Sequence, residues 1–195
     1  MKTLLTITSI TIVFTIGLLL AIPQVRSYIW DQIQVRIEVP VEVPYDPNEL
    51  PLADLIRAES DRAGIPEVIT LALAHVESGK SLEPFSTRFE PHIYNNQKAS
   101  NDFDRRAMSS SHGLLQVMGF HAQNCGLKHW SQLYQPQRNI RCGLKILNDC
   151  LARYKSVATQ SDRLTKALGC YNGDAVTYPL KVKAALADIV VNNLK

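Results

Sequence analysis

The sequence predicts a mainly α domain preceded by a single N-terminal transmembrane helix. Residues 3–22 contain no charged side chain, and from Leu52 onward apolar residues recur at helical spacing. Strand signals are sparse, amounting to one hairpin within residues 80–112. A length of 195 residues suits one domain with an appendage. A hydrophobic fraction of 46% against 20% charged residues excludes a disordered chain. The formal charge of +3, from 21 basic and 18 acidic residues, is too small an excess to argue for a nucleic-acid partner.

The uncharged stretch spans about 30 Å as a helix, the thickness of a bilayer's hydrocarbon core. The apolar part of a secretory signal is shorter, roughly 7–15 residues, and no small-x-small cleavage site precedes Pro23. A retained anchor over residues 1–22 is therefore expected, with a cleaved signal as the alternative. Thr3, Thr6, Thr8, Ser9, Thr11, Thr15 and Gly17 interrupt the span and weaken its hold on lipid. Lys2 on one side and Arg26 and Arg36 on the other leave orientation undecided. An N-in anchor would place everything after it outside the cytoplasm. Residues 23–51 read as a stalk, because Pro40, Pro44, Pro47 and Pro51 break any helix and Val-Glu-Val favours extended backbone. Residues 1–49 hold three basic against five acidic residues, a net −2, so residues 50–195 carry 18 against 13, a net +5. A modestly basic domain outside the cytoplasm suits an anionic polymer such as a cell wall.

In the globular part, residues 52–195, Leu52, Leu55 and Ile56 form the first stripe and Gly64 stands at a C-cap position. Pro66 occupies a first turn, and residues 68–76 are apolar almost all round, as in a helix buried centrally. That helix ends at Glu77-Ser78-Gly79. Residues 80–112 form a long polar excursion of the kind that builds a site. A helix is expected over about 114–124. Pro136 opens a longer one with Ile140, Leu144, Leu147 and Leu151 on one face. Ser161 is the expected cap of a helix to about Tyr171, and Pro179 opens the last, with Val182, Leu186, Ile189 and Val190 facing inward.

Glu77 is the first candidate for chemistry. A carboxyl at the C-terminal end of a buried helix meets both desolvation and the negative end of the helix dipole, so its pKa should rise. A carboxyl kept protonated near neutral pH is what donates a proton to a leaving sugar oxygen. Ala74-His75-Val76-Glu77-Ser78-Gly79 is followed by Ser110-Ser111-His112-Gly113-Leu114-Leu115-Gln116-Val117-Met118, then Asn139-Ile140-Arg141-Cys142-Gly143, then Tyr171-Asn172-Gly173 with Tyr178 and Val182 beyond. Four segments in this order resemble the soluble-type lytic transglycosylases, members of the lysozyme-like superfamily related to goose-type lysozymes. The resemblance covers about residues 52–194. Ser110-Ser111-His112 stands where the family has Gly-Ala-x, and Tyr171-Asn172-Gly173 shortens its Tyr-Asn-Ala-Gly.

The resemblance implies a lysozyme-like helical fold with Glu77 as the catalytic acid/base. It implies that Ser78 hydrogen-bonds near the carboxyl and substrate, and that Gly113, Leu114 and Gln116 line the sugar cleft. It further implies that Tyr171 points its hydroxyl at Glu77 and that Asn172 supports that loop. The implied reaction is non-hydrolytic cleavage of the bond between N-acetylmuramic acid and N-acetylglucosamine in peptidoglycan, closing a 1,6-anhydro ring. Its rivals are a hydrolytic muramidase or endolysin, and an inactive envelope protein that binds glycan strands. Hydrolysis with inversion needs a second carboxyl roughly 6.5–9.5 Å away. Glu83, Glu90, Asp102 and Asp104 lie in the excursion, and Glu90 is the one to test. No His-Glu-x-x-His or similar spacing occurs among the five His, so no metal or other cofactor is expected. Cys125, Cys142, Cys150 and Cys170 allow three disulfide pairings or buried free thiols. Trp130, Tyr94 and Tyr134 are open to sugar stacking, with core packing the rival fate.

Overall fold

Helix α1 (Leu52–Ala63) ends at Gly64 in the left-handed region, and α2 (Glu67–Ser78) starts one residue after Pro66. The computed structural model describes residues 51–193. The expected anchor at 1–22 and, but for Pro51, the expected stalk at 23–51 lie outside the described residues. Among the described residues, no helix is long and apolar enough to cross a membrane.

The excursion supplies two strands and two short helices, and a third strand just after it completes an antiparallel sheet. Strand β1 (Thr87–Phe89) pairs with β2 (Ser110–His112), which pairs with β3 (Val117–Met118). Between β1 and β2 lie α3 (Pro91–Tyr94) and α4 (Asp102–Met108). The Asn101 side chain caps α4 by accepting from the Asp104 N–H at 2.8 Å. After β3 come three 3₁₀ turns, Gly119–His121, Gln123–Cys125 and Trp130–Tyr134. Three long helices close the domain: α5 (Pro136–Arg153), α6 (Gln160–Asn172) and α7 (Thr177–Asn193).

Helix α2 packs against α1 and α7, while α5 packs against α1 and α6. The core follows the stripes: Leu55, Ile56, Leu73, Leu114, Leu115, Ile140, Leu144, Leu147 and Leu168 are almost wholly removed from water. Polar ties join the helices across it. Ser60 Oγ donates to Ile56 O and meets Thr70 Oγ1 at 2.7 Å, joining α1 to α2. Buried Glu59 takes Arg141 on both oxygens, at 2.6 and 3.0 Å, and Gln137 at 2.8 Å, joining α1 to α5. A buried carboxylate is tolerable only with such bidentate partners.

Three expectations are corrected. The helix expected over 114–124 does not form. Gln116 has φ 43°, the Leu115 N–H donates to Asn139 Oδ1 at 2.8 Å instead of to a helical ladder, and the chain turns back as β3. The cap of α6 is Thr159, whose hydroxyl accepts from the Asp162 N–H at 3.1 Å, while Ser161 sits buried in the first turn. Val190 is exposed, since the inward stripe of α7 runs through Tyr178, Val182 and Ile189.

The four cysteines form two disulfides. Cys125–Cys142 fixes the second 3₁₀ turn to α5, and Cys150–Cys170 fixes α5 to α6. Cys150 and Cys170 are 20 residues apart, and a loop of that size constrains the unfolded chain by about 3 kcal/mol. The Cys150→Ser/Cys170→Ser double variant should therefore lose about 3 kcal/mol in urea unfolding under oxidising conditions. An unchanged midpoint would show that the bridge contributes nothing.

Candidate active site

Glu77 stands on the last full turn of α2 and is half-buried. The packing of α2 on α7 brings in Tyr178, which lies 101 residues further along the chain. Its hydroxyl donates to Glu77 Oε1 at 2.6 Å. Burial pushes the Glu77 carboxyl above its ordinary pKa. The Tyr178 hydrogen bond, the Arg88 charge, a hydrogen bond from Asn172 and the Lys181 charge pull it back, and burial prevails. Burial, reinforced by the negative charge of Glu77, holds the Tyr178 and Tyr171 hydroxyls protonated, so they act as donors. The Tyr178 donor thus occupies Oε1 of the carboxyl.

A cleft of about 450 Å³ opens over this carboxyl. Of the site residues expected from the sequence, Glu77, Glu90, Gln116, Tyr171 and Asn172 line it. Gln116 is held by its surroundings. Its Nε2 donates to Gly113 O at 2.9 Å and to Ser86, while Oε1 accepts from Ser111 Oγ at 2.7 Å. Both ends of the amide are thus engaged by the protein, and Gln116 shapes the wall of the cleft.

Four expected roles change. The hydroxyl on Glu77 belongs to Tyr178; Tyr171 turns its own to Leu115 O at 2.7 Å and stacks its ring beside Tyr178, with centroids 6.3 Å apart. Ser78 donates to Ala74 O at 2.9 Å within α2 and leaves the carboxyl alone. Leu114 is fully buried in the core. Gly113 holds a turn: its φ is 73°, and a Cβ there would come within 2.5 Å of Asn139 Nδ2. Neither residue lines the cleft.

Among the four carboxyls of the excursion, Glu90 is the one that reaches the cleft. Its Oε1 accepts from Arg88 Nε at 2.7 Å, and Oε2 lies 3.8 Å from His92 Nδ1. Glu83 accepts from the Phe85 N–H, Asp102 from Tyr94 Oη and Asp104 from Trp130 Nε1. His92 and His121 line the cleft. His112 is buried behind the sheet, with Nε2 2.7 Å from Ala107 O. Trp130 and Tyr134 pack around the His112 ring, away from the cleft lining, and Tyr94 lies edge-on to Phe89. A second cavity of about 500 Å³, walled by Arg138, Arg141 and Lys145 beside Cys125–Cys142, shares no lining residue with the first. Two of its cations are committed, Arg141 to Glu59 and Lys145 to Asp149.

Sequence reasoning missed the roles of Tyr178 and Arg88. Tyr178 stands just beyond the Tyr-Asn segment, but its contact depends on helix packing that no local pattern carries. Arg88 is the central residue of the three-residue strand β1, too short for its alternation to be told from a loop.

The raised Glu77 pKa fixes a sign. Between the unfolded and folded pKa values the native state binds the extra proton, so its stabilising contribution is complete at acidic pH and lost as pH rises through the folded value. Glu77→Gln carries no such loss. The variant should therefore gain thermal stability relative to the parent as pH increases from about 4 to about 8, as read by melting curves. A constant difference across that range would contradict a raised pKa.

The model of the transglycosylase SLT domain matches residues 54–179, from α1 to the opening of α7. Searches of the curated proteins and of the solved structures return no match. The matched span takes in Glu77, the sheet, the Tyr171-Asn172 segment and Tyr178, so the carboxyl and its donor both fall inside it. By that match the chain belongs to the transglycosylase SLT domain family, whose members act on peptidoglycan and share a lysozyme-like helical fold.

Proposed function

We propose that this protein is a peptidoglycan lytic transglycosylase that cleaves the β-1,4 bond between N-acetylmuramic acid and N-acetylglucosamine and leaves 1,6-anhydro-muramyl ends. The observation that carries the reading is Glu77: a half-buried carboxyl of raised pKa, pinned on Oε1 by Tyr178, at the floor of an open cleft. Glu77 Oε2 gives its proton to the glycosidic oxygen as the muramyl C1–O bond breaks, and the N-acetylglucosamine leaves with a free 4-hydroxyl. The same carboxylate then takes the proton of the muramyl 6-hydroxyl, whose oxygen bonds to C1. One carboxyl serves both steps, and no water is consumed. The Tyr178 hydroxyl accompanies both protonation states, which keeps the carboxyl in one orientation through the cycle.

Hydrolysis is the second reading, favoured by one observation: Glu90 shares the cleft with Glu77. Against it, Glu90 Oε1 is already held by Arg88 at 2.7 Å. We place the domain outside the cytoplasm on a membrane anchor formed by residues 1–22. The support is the uncharged stretch over residues 3–22 and the two disulfides, which persist in oxidising compartments.

Digestion of purified peptidoglycan by the full-length protein, with mass spectrometry of the fragments, tests the reaction. Anhydro-muropeptides are expected. Reducing muramyl ends would establish hydrolysis, and release equal to that of Glu77→Gln would leave a glycan-binding protein. Glu77→Gln should lower turnover by about 10²–10⁴-fold.

Tyr178→Phe removes a hydrogen bond that holds the Glu77 pKa down. Its Glu77 pKa should rise further, moving the alkaline limb of the rate profile, where the proton donor is lost, to higher pH, with kcat down by about tenfold. A profile superimposable on the parent's would remove Tyr178 from the site.

A further inference from the structure

Arg88 is unexplained by the proton chemistry. Among the described residues lining the Glu77 cleft it is the one Arg or Lys, and its charge lowers the pKa of the very group that must hold a proton. Its partner Glu90 engages Nε alone and leaves the rest of this permanent cation to be accounted for. Its placement is specific. On β1, Arg88 pairs across from Ser111, whose hydroxyl bonds Gln116, so the guanidinium rises from the same face of the sheet as the cleft wall. Glu90, two residues along and on the same face, takes Nε at 2.7 Å. The terminal Nη atoms make no hydrogen bond with the described residues, and the side chain is 61% exposed. The fork is therefore aimed by one carboxylate and open along its other edge, the geometry in which a guanidinium receives a second carboxylate through two parallel N–H bonds.

Sugar rings and N-acetyl groups are neutral and give that edge no charge to meet. The substituent at the 3-position of a muramyl residue does: a lactyl carboxylate when bare, or the free carboxylates of a peptide stem when substituted. We propose that Arg88 is a specificity-determining residue that reads a carboxylate on the muramyl substituent, and so selects murein over neutral N-acetylglucosamine strands. This rests on the function proposed above.

The test uses full-length Glu77→Gln as the parent, whose slowed turnover leaves binding measurable, and compares it with Glu77→Gln/Arg88→Gln and Glu77→Gln/Arg88→Lys. Calorimetry measures binding of three tetrasaccharides: peptide-bearing murein, the same glycan with bare lactyl groups, and chitotetraose. Arg88→Gln should weaken carboxylate-bearing ligands by about tenfold and leave chitotetraose unchanged, and Arg88→Lys should fall between. Retained chitotetraose binding shows that the variant is folded. A loss confined to the peptide-bearing ligand identifies the stem as the source of the carboxylate, and one confined to the bare glycan identifies the lactyl group. Equal weakening on all three ligands, or none on any, overturns the proposal while leaving the enzyme assignment standing. If the parent binds none of the three, the assignment falls and the proposal with it.

Discussion

The buried amide of Asn139 is the constraint on which the cleft wall depends. It sits on the first turn of α5 with no exposure, and it hydrogen-bonds three backbone groups, from β2, from the turn after it and from the 3₁₀ turn before α5. Oδ1 accepts from the Leu115 N–H at 2.8 Å; Nδ2 donates to His112 O at 2.7 Å and Leu133 O at 3.1 Å. Each of those groups left unpaired in the interior would cost about 1–3 kcal/mol. Gly113 lets the turn approach this closely. With Leu115 anchored by its N–H, its carbonyl faces Tyr171 Oη, and Gln116 is thrown into the left-handed region with its amide reaching across to Ser86. Gly143, one turn further along α5, completes the arrangement by approach. A Cβ there would lie 2.6 Å from Leu115 Cδ1 and 3.1 Å from Tyr171 Oη. A single side chain thus sets the positions of the wall residue Gln116 and of the ring that backs Tyr178.

Glu77 is positioned by different contacts, and the two halves of the site are separable in that sense. Its helix is held by apolar packing on α1 and α7 and by the Ser60–Thr70 bond, remote from Asn139. Its electrostatics are a contest in which desolvation outweighs two hydrogen bonds and two cations. Such a balance is adjustable. A substrate that covers the cleft removes water and strengthens desolvation, while any group that draws Arg88 away relieves one of the opposing pulls. Covering the cleft therefore moves the carboxyl toward its protonated form.

What the sequence makes legible follows from what each signal measures. Periodicity records burial, so α1, α2 and α5, which bury one long face or nearly all of their surface, are read within a residue or two. Glu77 is legible for the same reason, as an ionisable residue closing an apolar run. The stretch 114–124 fails because Leu114, Leu115 and Val117 are buried through a turn and a short strand, which mimics a helical stripe over so few residues. Strands of two or three residues carry no measurable alternation. The exchange of Tyr171 for Tyr178 has another cause. Both lie near the carboxyl with stacked rings, and which hydroxyl reaches it is decided by how α7 packs on α2, a tertiary relation 101 residues apart. Ser161 against Thr159 is a local contest, settled because Ser161 is needed inside.

The small sheet works as a partition, and its register accounts for its sequence. Thr87, Phe89, Ser110 and His112 share one face, Arg88 and Ser111 the other. The first face is fixed by His112, wedged between Trp130 and Tyr134, by the Thr87 hydroxyl on Tyr134 at 2.9 Å, and by Arg106 over the Phe89 ring at 4.5 Å. None of these groups touches the cleft. Their effect is on the opposite side, because a slip of one residue would carry Arg88 and Ser111 to the back and turn Thr87 and Phe89 into the cleft. Three-residue strands cannot hold register by ladder bonds alone, so the aromatic cluster behind the sheet supplies what the ladder lacks. The residues that line the cleft are thus held in place by ones that do not line it.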